Sequence, residues 1–404
     1  MARVRTQIGI IGAGPAGLFL SHLLHREGIE SVVLEAHTRE YIESRVRAGV
    51  LEQGTTDLMV ETGVGERMRR EGLVHEGVEL RFGAGRSLRI DFKELTGRGI
   101  VVYAQHEVIK DLVAARLAAG GEIVFEAEAM SIEGIDDAQK NERPKIRYRK
   151  NGAEFEIECD FIAGCDGFHG VARASVPPNL IEIFERVYPF AWLGILAKTA
   201  PASEELIYAN HERGFALMSM RSPEVSRLYI QCSPEEKLKE WPDARIWEEL
   251  HVRLGLGKRL KEGPVFQKNV APMRSFVAEP MRFGKLFLAG DAAHIVPATG
   301  AKGLNMAVKD VRVLARGLAE FYSKSNTDLL EQYSAICLRH CWKVQRFSWW
   351  MTSVLHRFPE DNAFDRRRQL AELDYLAGSR AAQLTLAENY VGLSVPELDA
   401  RLDV

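Results

Sequence analysis

Residues 7–35 read QIGIIGAGPAGLFLSHLLHREGIESVVLE, and this stretch decides the fold. Residues 7–11 are apolar enough for a short buried strand, residues 18–26 have helical periodicity, and residues 31–35 form a second strand-like run that ends in an acid. A strand, a glycine-rich turn, a helix and a second strand in this order are typical of a parallel, doubly wound sheet. The sequence therefore predicts an α/β fold.

The turn in this stretch has the glycine spacing of a dinucleotide-binding loop. Gly12 permits the turn, Gly14 lets backbone N–H groups approach a pyrophosphate, and Gly17 lets the helix pack on the strand. The helix N-terminus, which includes Ala16, stabilises phosphates, and Glu35 can accept hydrogen bonds from ribose hydroxyls. The motif alone is also compatible with a mere tight turn. In register with a strand, a helix and an acid, it favours a Rossmann-type domain.

The rest of the chain divides into a second sheet and a helical region. From about residue 186 to residue 232 the segments become alternating and aromatic-rich, which predicts antiparallel strands over residues 187–197, 206–209, 215–220 and 227–232. Residues 285–290 then have the pattern of a buried strand of the first domain, so the second domain is predicted to be an insertion. The predicted ranges are 1–182 for the dinucleotide-binding domain (completed by about 276–305), 183–275 for the β-rich substrate domain and 306–404 for the helical region.

One helical segment carries an apolar stripe at a spacing of three and four residues. Its members are Phe347, Trp350, Met351, Val354, Leu355 and Phe358. A stripe of this kind is typical of a core or of a subunit interface.

Composition excludes several classes of function. The chain has 404 residues, a net charge of −3 and no long basic run, which argues against a nucleic-acid partner. No apolar stretch approaches the ~18 residues of a membrane span. The cysteines form no C-x-x-C pair, and no His or Asp completes a metal site around Cys337 and Cys341, so we expect no metal. An odd number of free thiols favours the reducing cytoplasm.

Two more strand ends carry a glycine beside an aspartate. Residues 161–169 include Gly164-Cys-Asp166-Gly, and residues 286–294 include Gly290-Asp291. The carboxyl ends of parallel strands are where such a sheet places its ligands. With the glycine loop, this set resembles the group A flavoprotein aromatic hydroxylases.

The resemblance narrows within that family. Residues 45–54, 72–78, 184–189, 206–211, 347–358 and 387–393 are similar to the branch that acts as 4-hydroxybenzoate 3-monooxygenase. It covers nearly the whole chain and is weakest around residues 132–150 and after Pro396. The resemblance implies FAD, NADPH or NADH and O₂, with a flavin C4a-hydroperoxide hydroxylating 4-hydroxybenzoate at C3 to give 3,4-dihydroxybenzoate.

The resemblance also implies which residues bind the two cofactors. The residues implied to hold FAD are Gly12, Gly14, Ala16, Gly17, Glu35, Arg45, Val46, Arg47, Ala48, Gly49, Val50, Gln105, Asp291, Leu304 and Asn305. Those implied to help bind the nicotinamide cofactor are Arg45, His169, Arg173 and Arg274.

For the substrate, the resemblance implies that Arg221 meets the carboxylate, with Ser219, Met220, Tyr229 and Ala298 also in contact. Tyr208 is implied to contact the phenol oxygen beside Tyr390, and His75 to end a proton path to solvent. From the residues themselves, Arg221 follows an alternating segment, 215–221, and its fork-shaped guanidinium suits a carboxylate. From the residues alone, Tyr208 and Tyr390 are more typical of ordinary core tyrosines, because buried tyrosines are common, and only the resemblance favours a role in the site.

Other functions remain open at this point. One is an FAD-dependent hydroxylase for another ring, such as an aminobenzoate or a ubiquinone precursor. Another is a non-catalytic flavin-binding regulator that senses an aromatic acid, which would need neither the tyrosine pair nor a nicotinamide site.

The sequence departs from the family in two places. Ala298 stands where members often have the second of two prolines, which predicts a looser loop. Ala36 and His37 follow Glu35 where NADPH-preferring members tend to carry an arginine, so we expect NADH to be used comparatively well. The resemblance and the apolar stripe together predict a homodimer.

Overall fold

A six-stranded sheet contains the glycine loop and forms the centre of the first half of the molecule. The computed structural model describes residues 3–47, 49–83, 85–136 and 142–399, so Ala48 lies outside the described residues. The strand order is β19-β20-β13-β2-β3-β9, parallel except for β19. These strands are β2 (Ile8–Ile11), β3 (Ser31–Leu34), β9 (Glu122–Val124), β13 (Phe161–Gly164), β19 (Arg282–Phe283) and β20 (Leu286–Leu288). The predicted doubly wound sheet, including the late strand from residue 285 onward, is confirmed.

Two small sheets flank this one. The first, in the order β1-β12-β11-β10, contains a tight hairpin at Asn151 and Gly152, both of which have positive φ. Its strands are β1 (Arg3–Arg5), β10 (Glu128–Glu133), β11 (Lys145–Lys150) and β12 (Ala153–Glu158). The second, in the order β4-β8-β5, consists of β4 (Val50–Leu51), β5 (Leu73–His75) and β8 (Ile100–Val102).

An eight-stranded sheet in the order β21-β18-β14-β17-β16-β15-β6-β7 forms the second half. Its strands are β6 (Gly77–Phe82), β7 (Arg86–Asp91), β14 (Glu182–Ala197), β15 (Leu206–Ala209), β16 (Ala216–Ser222), β17 (Val225–Cys232), β18 (Val265–Glu279) and β21 (His294–Ile295). This sheet includes strands from two of the predicted domain ranges. Strands β6 and β7 fall within the range assigned to the dinucleotide-binding domain, yet they extend this sheet, because β6 pairs with β15.

The two faces of the eight-stranded sheet bury different residues, as strand alternation requires. One face, which includes Leu193, Ile207, Met218 and Ile230, packs on α8 (Asp243–Leu254). The opposite face, which includes Trp192, Tyr208, Phe215 and Leu217, packs on the end of α10 (Asp328–Leu355) and on α12 (Arg380–Val391). We call this opposite face the cavity face.

Helices surround the sheets. They are α1 (Pro15–Arg26), α2 (Arg39–Ser44), α3 (Gln53–Glu61), α4 (Glu66–Glu71), α5 (Phe92–Thr96), α6 (Gln105–Ala118), α7 (Val171–Ala174), α8, α9 (Gly303–Lys324), α10, α11 (Ala363–Gly378), α12 and α13 (Pro396–Asp399). The apolar stripe on α10 is core, because Phe347, Met351 and Leu355 are almost fully buried within the chain. Among the described helices, none combines the length and the apolar character needed to cross a membrane.

Candidate active site

A cavity of about 870 Å³ lies between the six-stranded sheet, the cavity face and the first turn of α9. The glycine loop, the ends of β13 and β20 and residues of β14, β17 and β18 all contribute to its wall. The carboxyl ends of the parallel strands therefore open into it, which is where an α/β sheet of this type binds its ligand.

The glycine loop has the shape that a dinucleotide needs. A Cβ on Gly12, whose φ is +100°, would lie 2.3 Å from the carbonyl oxygen of Cys165, and one on Gly17 would lie 2.0 Å from that of Gly12. A Cβ on Gly14 would meet nothing within 4 Å. Gly12 and Gly17 thus allow tight packing, whereas Gly14 borders the open cavity and leaves room for a pyrophosphate at the N-terminus of α1.

Glu35 ends β3 at the cavity wall. Its carboxylate accepts hydrogen bonds from the N–H of Ala13 (2.8 Å) and of His37 (2.9 Å), one on each oxygen. Each carboxylate oxygen has a second lone pair, so Glu35 can still accept ribose hydroxyls. The two backbone bonds fix the orientation in which it does so.

Most of the predicted cofactor residues line the cavity. They are Gly12, Gly14, Ala16, Glu35, Arg45, Val46, Arg47, Gly49, Val50, Gln105, Asp291 and Leu304. Gly17 lies behind the loop, and Asn305 does not reach the cavity. The Asn305 side-chain amide instead bonds the N–H of Glu52, the hydroxyl of Thr55 and the carbonyls of Val50 and Ala301, so it holds the chain at Val50–Glu52, next to the cavity wall.

Three of the four predicted nicotinamide residues surround one aromatic ring, whereas Arg45 lies over the ring of Tyr41. The guanidinium carbons of Arg173 and Arg274 lie 4.9 and 4.5 Å from the centre of the Phe168 ring, and the His169 ring meets it edge-on at 4.9 Å. His169 and Arg274 line the cavity. Arg173 does not, because its guanidinium bonds the carbonyl of Ala292 and that of Phe168.

Two arginines on the cavity face carry unpaired charge. Arg221 donates one hydrogen bond, to the carbonyl of Arg47 (3.0 Å), and its buried Nε has no partner among the described residues. Burial lowers its pKa to about 10, which still leaves it charged at neutral pH. Arg227 is 5% exposed, lines the cavity and likewise has an Nε without a described partner. Arg221 is half-buried and Arg227 is buried, and two guanidiniums whose buried Nε atoms lack a described partner favour an anionic ligand, since leaving a desolvated charge unpaired is costly.

Tyr208 and Tyr390 form a buried pair. Their hydroxyls are in hydrogen-bond contact, and the Tyr208 hydroxyl also donates to the carbonyl of Thr299 (3.3 Å). Burial raises the pKa of both phenols above their usual value, so both stay protonated at neutral pH. Thr299 follows Ala298, which lines the cavity, so the pair lies directly behind the cavity wall.

Two cationic side chains lie beside this pair. Lys302 donates to Glu52 (2.8 Å) and to the carbonyl of Tyr390 (2.7 Å), and Lys309 donates to the other oxygen of Glu52 (2.9 Å). The two lysines hold the pKa of the buried Glu52 at about 2 despite its burial. The cluster therefore has a net charge of about +1 next to the tyrosines.

His75 is fully buried, and neither of its ring nitrogens has a partner among the described residues. Burial lowers its pKa to about 4, so the ring is neutral. The structure thus provides an imidazole able to exchange a proton, but no direct hydrogen bond from it to Tyr390.

Ser219 and Met220, two further predicted substrate residues, are neighbours on β16, where successive side chains alternate between the two faces of the sheet. Ser219 pairs with Arg227 on the neighbouring strand and lies on the cavity face, whereas Met218 packs on the opposite face. Met220 shares the parity of Met218. Neither Ser219 nor Met220 is among the residues that line the cavity, so the Met220 contact stays a prediction.

Comparison with known proteins identifies the family. Residues 5–348 match the FAD binding domain family. The p-hydroxybenzoate hydroxylase of Acinetobacter baylyi is 50% identical over 396 residues, which is 97% of this chain and 96% of that protein. The chain belongs to the p-hydroxybenzoate hydroxylase family. As a member of that family it is an FAD-dependent aromatic monooxygenase that uses NAD(P)H.

Solved structures show how widely the fold is used. p-Nitrophenol 4-monooxygenase PnpA from Pseudomonas putida DLL-E4 superposes with a TM-score of 0.82 at 18% identity and covers 98% of this chain and 100% of that chain. The Diels-Alderase PyrE3 of pyrroindomycin biosynthesis superposes with a TM-score of 0.78 at 19% identity, covering 96% and 81%. Because one fold serves such different chemistry, the reaction of this p-hydroxybenzoate hydroxylase family member has to be argued from its site.

Trp192, Arg227 and Asn269 are among the residues of the cavity wall that sequence reasoning missed. Trp192 and Arg227 lie in segments predicted as alternating strands. From alternation alone, each of these two residues could lie on either face of its strand. The pairing of β14 with β17 shows that both lie on the same face as Tyr229.

Proposed function

We propose that this enzyme hydroxylates 4-hydroxybenzoate at C3, with the substrate carboxylate bound by Arg221 and its phenol oxygen bound by Tyr208. The observation that carries the proposal is the pair of buried, unpaired guanidinium Nε groups on the same sheet face as a buried tyrosine pair. One end of this arrangement suits an anion and the other suits a phenol oxygen. The name of the 50% identical relative supports the same substrate.

Bound FAD, held by the glycine loop, Glu35 and the first turn of α9, supplies the redox and oxygen-activating chemistry. The chain's own residues bind and orient the substrate and control one proton. An electron-rich ring is needed for attack by electrophilic oxygen, so the substrate phenol has to lose its proton in the site.

Deprotonation of the substrate requires help from its surroundings. A phenol has a pKa of ~10, and lowering it by ~2–3 units requires ~3–4 kcal/mol, which is more than one hydrogen bond provides. In the proposed site, the Tyr208 hydroxyl turns its single hydrogen from the carbonyl of Thr299 to the substrate oxygen while accepting from Tyr390, and the nearby lysine–glutamate cluster adds positive potential. The neutral His75 is proposed to exchange the released proton with solvent.

The remaining assignments also follow the family. We propose that Ser219 and Tyr229 assist Arg221, that Ala298 offers its backbone to the ring, and that Arg45, His169, Arg173 and Arg274 bind the nicotinamide cofactor. Ala36 and His37 border the cavity and offer no cation, which favours effective use of NADH. The cytoplasm, which keeps the five buried cysteines reduced, is the proposed compartment.

We further propose a homodimer, but through a different surface from the stripe on α10. Beside that stripe lie exposed apolar residues on β14 and on the outer side of α10, namely Ile183, Phe184, Val187, Trp342 and Trp349. Phe184, Trp342 and Trp349 border a groove of about 320 Å³. Sedimentation of the wild type and of Trp349→Glu should show a dimer and a monomer respectively, and a monomeric wild type would reject the assignment.

The function is tested by product analysis. Purified FAD-loaded protein is mixed with NADH or NADPH, oxygen and a panel of hydroxybenzoates and aminobenzoates. We expect 4-hydroxybenzoate to stimulate NAD(P)H oxidation most and to yield 3,4-dihydroxybenzoate in near-stoichiometric amount. Stimulation without a hydroxylated product would indicate an effector instead of a substrate, and stronger turnover of another ring would replace the assignment.

A further inference from the structure

Trp192 forms part of the wall at the substrate end of the cavity. It lies on β14 opposite Gln231 of β17, its ring is 4.9 Å from that of Tyr229, and it is 3% exposed. Gly194 lies two residues further along the same strand, and a Cβ there would be 3.0 Å from Asn269 Oδ1 and 3.4 Å from the Tyr229 ring, so these side chains close the wall on that side of the indole. The orientation of the indole therefore decides how wide the pocket is beside Tyr229.

His356 holds that indole in place. The Trp192 indole N–H donates to Nε2 of His356 (2.7 Å), and Nδ1 of His356 bonds the carbonyl of Thr352 (3.0 Å). The carbonyl can only accept, so the proton lies on Nδ1 and the lone pair of Nε2 faces the indole. Burial lowers the pKa of His356 to about 3, which keeps the ring neutral and this tautomer in place.

Two further aromatic rings confine the imidazole. Phe190 stacks on it at 4.7 Å with an interplanar angle of 7°, and Phe215 stacks at 4.3 Å with an angle of 24°. His356 itself is 0% exposed and caps the C-terminus of α10. His356 does not line the cavity, whereas Trp192 does, so its effect on the pocket is exerted through Trp192.

The same helix end also supports the tyrosine pair. Thr352, one turn before His356, forms a hydrogen bond between its hydroxyl and that of Thr299 (3.0 Å), and the carbonyl of Thr299 accepts the Tyr208 hydroxyl. One turn of α10 thus fixes both the indole wall and the residue proposed to bind the phenol oxygen.

We propose that His356 is a positioning residue that sets the width of the substrate pocket by fixing the indole of Trp192, and that it thereby restricts the enzyme to single-ring acids. The inference rests on the proposed function for the identity of the ligand. It goes further by assigning ring-size selectivity to a side chain that does not touch the substrate.

The test compares the FAD-loaded wild type with His356→Phe, His356→Gln, Trp192→Phe and the double variant. Phenylalanine keeps the stacking but leaves the indole N–H unpaired, whereas glutamine offers both an acceptor and a donor. For His356→Phe we expect the Kd of 4-hydroxybenzoate, measured by flavin absorbance, to rise about tenfold because the indole is released. The preference for it over 6-hydroxy-2-naphthoate should shrink by a similar factor. In His356→Gln, the Kd of 4-hydroxybenzoate and the ring-size preference should both return most of the way to the wild-type values.

The double variant separates positioning from general destabilisation. Once Trp192 is phenylalanine, changing His356 should alter neither the Kd nor the ring-size preference. His22→Phe, at a buried histidine that bonds Thr62 O away from the cavity, is the matched control, and its Kd should stay at the wild-type value. Additive effects in the double variant, or a lower thermal stability of His356→Phe with unchanged ring-size preference, would overturn the proposal. A wild type that binds no hydroxybenzoate would instead refute the proposed function.

Discussion

The glycine loop and the cavity face border the same cavity, but their residues come from very different stretches of chain. The loop, the helix after it and Glu35 lie within about thirty consecutive residues, and their function depends on backbone shape. The cavity face combines side chains from β14 to β18 with a tyrosine from α12, and Tyr208 and Tyr390 are 182 residues apart. A local backbone site can be read from spacing, whereas a site made of side chains depends on strand register.

This contrast predicts that substitutions in the loop act on folding or cofactor binding, depending on the glycine. Gly17→Val should cause the largest loss, because its Cβ would overlap the carbonyl of Gly12. We expect purified protein with little or no FAD and a lower melting temperature. Gly14→Ala should keep the stability of the FAD-free protein and weaken FAD binding by at least about 10-fold, since only the ligand space is filled. Equal losses of stability in Gly17→Val and Gly14→Ala would contradict the distinction between a glycine needed for packing and a glycine needed for ligand space.

On the cavity face, the expected changes affect chemistry without affecting the cofactor. Tyr208→Phe should bind 4-hydroxybenzoate but form product about 100-fold more slowly, the usual scale for a lost acid–base contact. Stopped-flow and product yield per NAD(P)H measure this, and Tyr390→Phe should give a smaller loss. Normal coupled turnover in Tyr208→Phe would remove it from the proton path.

Removal of the anion anchor should alter affinity more than rate. Arg221→Ala is expected to raise the substrate Kd by roughly 30-fold, which corresponds to ~2 kcal/mol for a lost charge-assisted contact. The substrate Kd of Arg227→Ala, at the neighbouring arginine, serves as the comparison. If the affinity for 4-hydroxybenzoate and for benzoate is unchanged in Arg221→Ala, the carboxylate binds elsewhere.

The smallest predicted effect concerns the nicotinamide cofactor. His37→Arg places a cation at an exposed position of the cavity rim, beside Tyr41, where a 2′-phosphate could be bound. The ratio of kcat/KM for NADPH over NADH should rise by about 5-fold, with the NADH value nearly constant, as expected for an exposed ion pair. A ratio that does not change would place the 2′-phosphate site elsewhere.

The sequence predicted the parallel sheet, the inserted antiparallel strands and the helical end because each has a local periodicity. It could not show that β6 and β7 extend the second sheet, since that depends on the parallel pairing of β6 with β15. Sequence reasoning indicated Arg221 but missed Arg227 and Trp192, because alternation does not reveal which face of a strand borders a cavity. The resemblance supplied the pairing of Tyr208 with Tyr390, which are otherwise indistinguishable from core tyrosines. It also supplied Met220, which pairs with Ser226 beside an irregularity of β16.

The most direct measurement is a crystal structure of the FAD-loaded protein with 4-hydroxybenzoate. The account predicts the carboxylate within hydrogen-bond distance of the Arg221 guanidinium and the phenol oxygen within hydrogen-bond distance of the Tyr208 hydroxyl, with the ring against the cavity face. A ring bound outside this cavity, or bound with its carboxylate toward Tyr208, would contradict it.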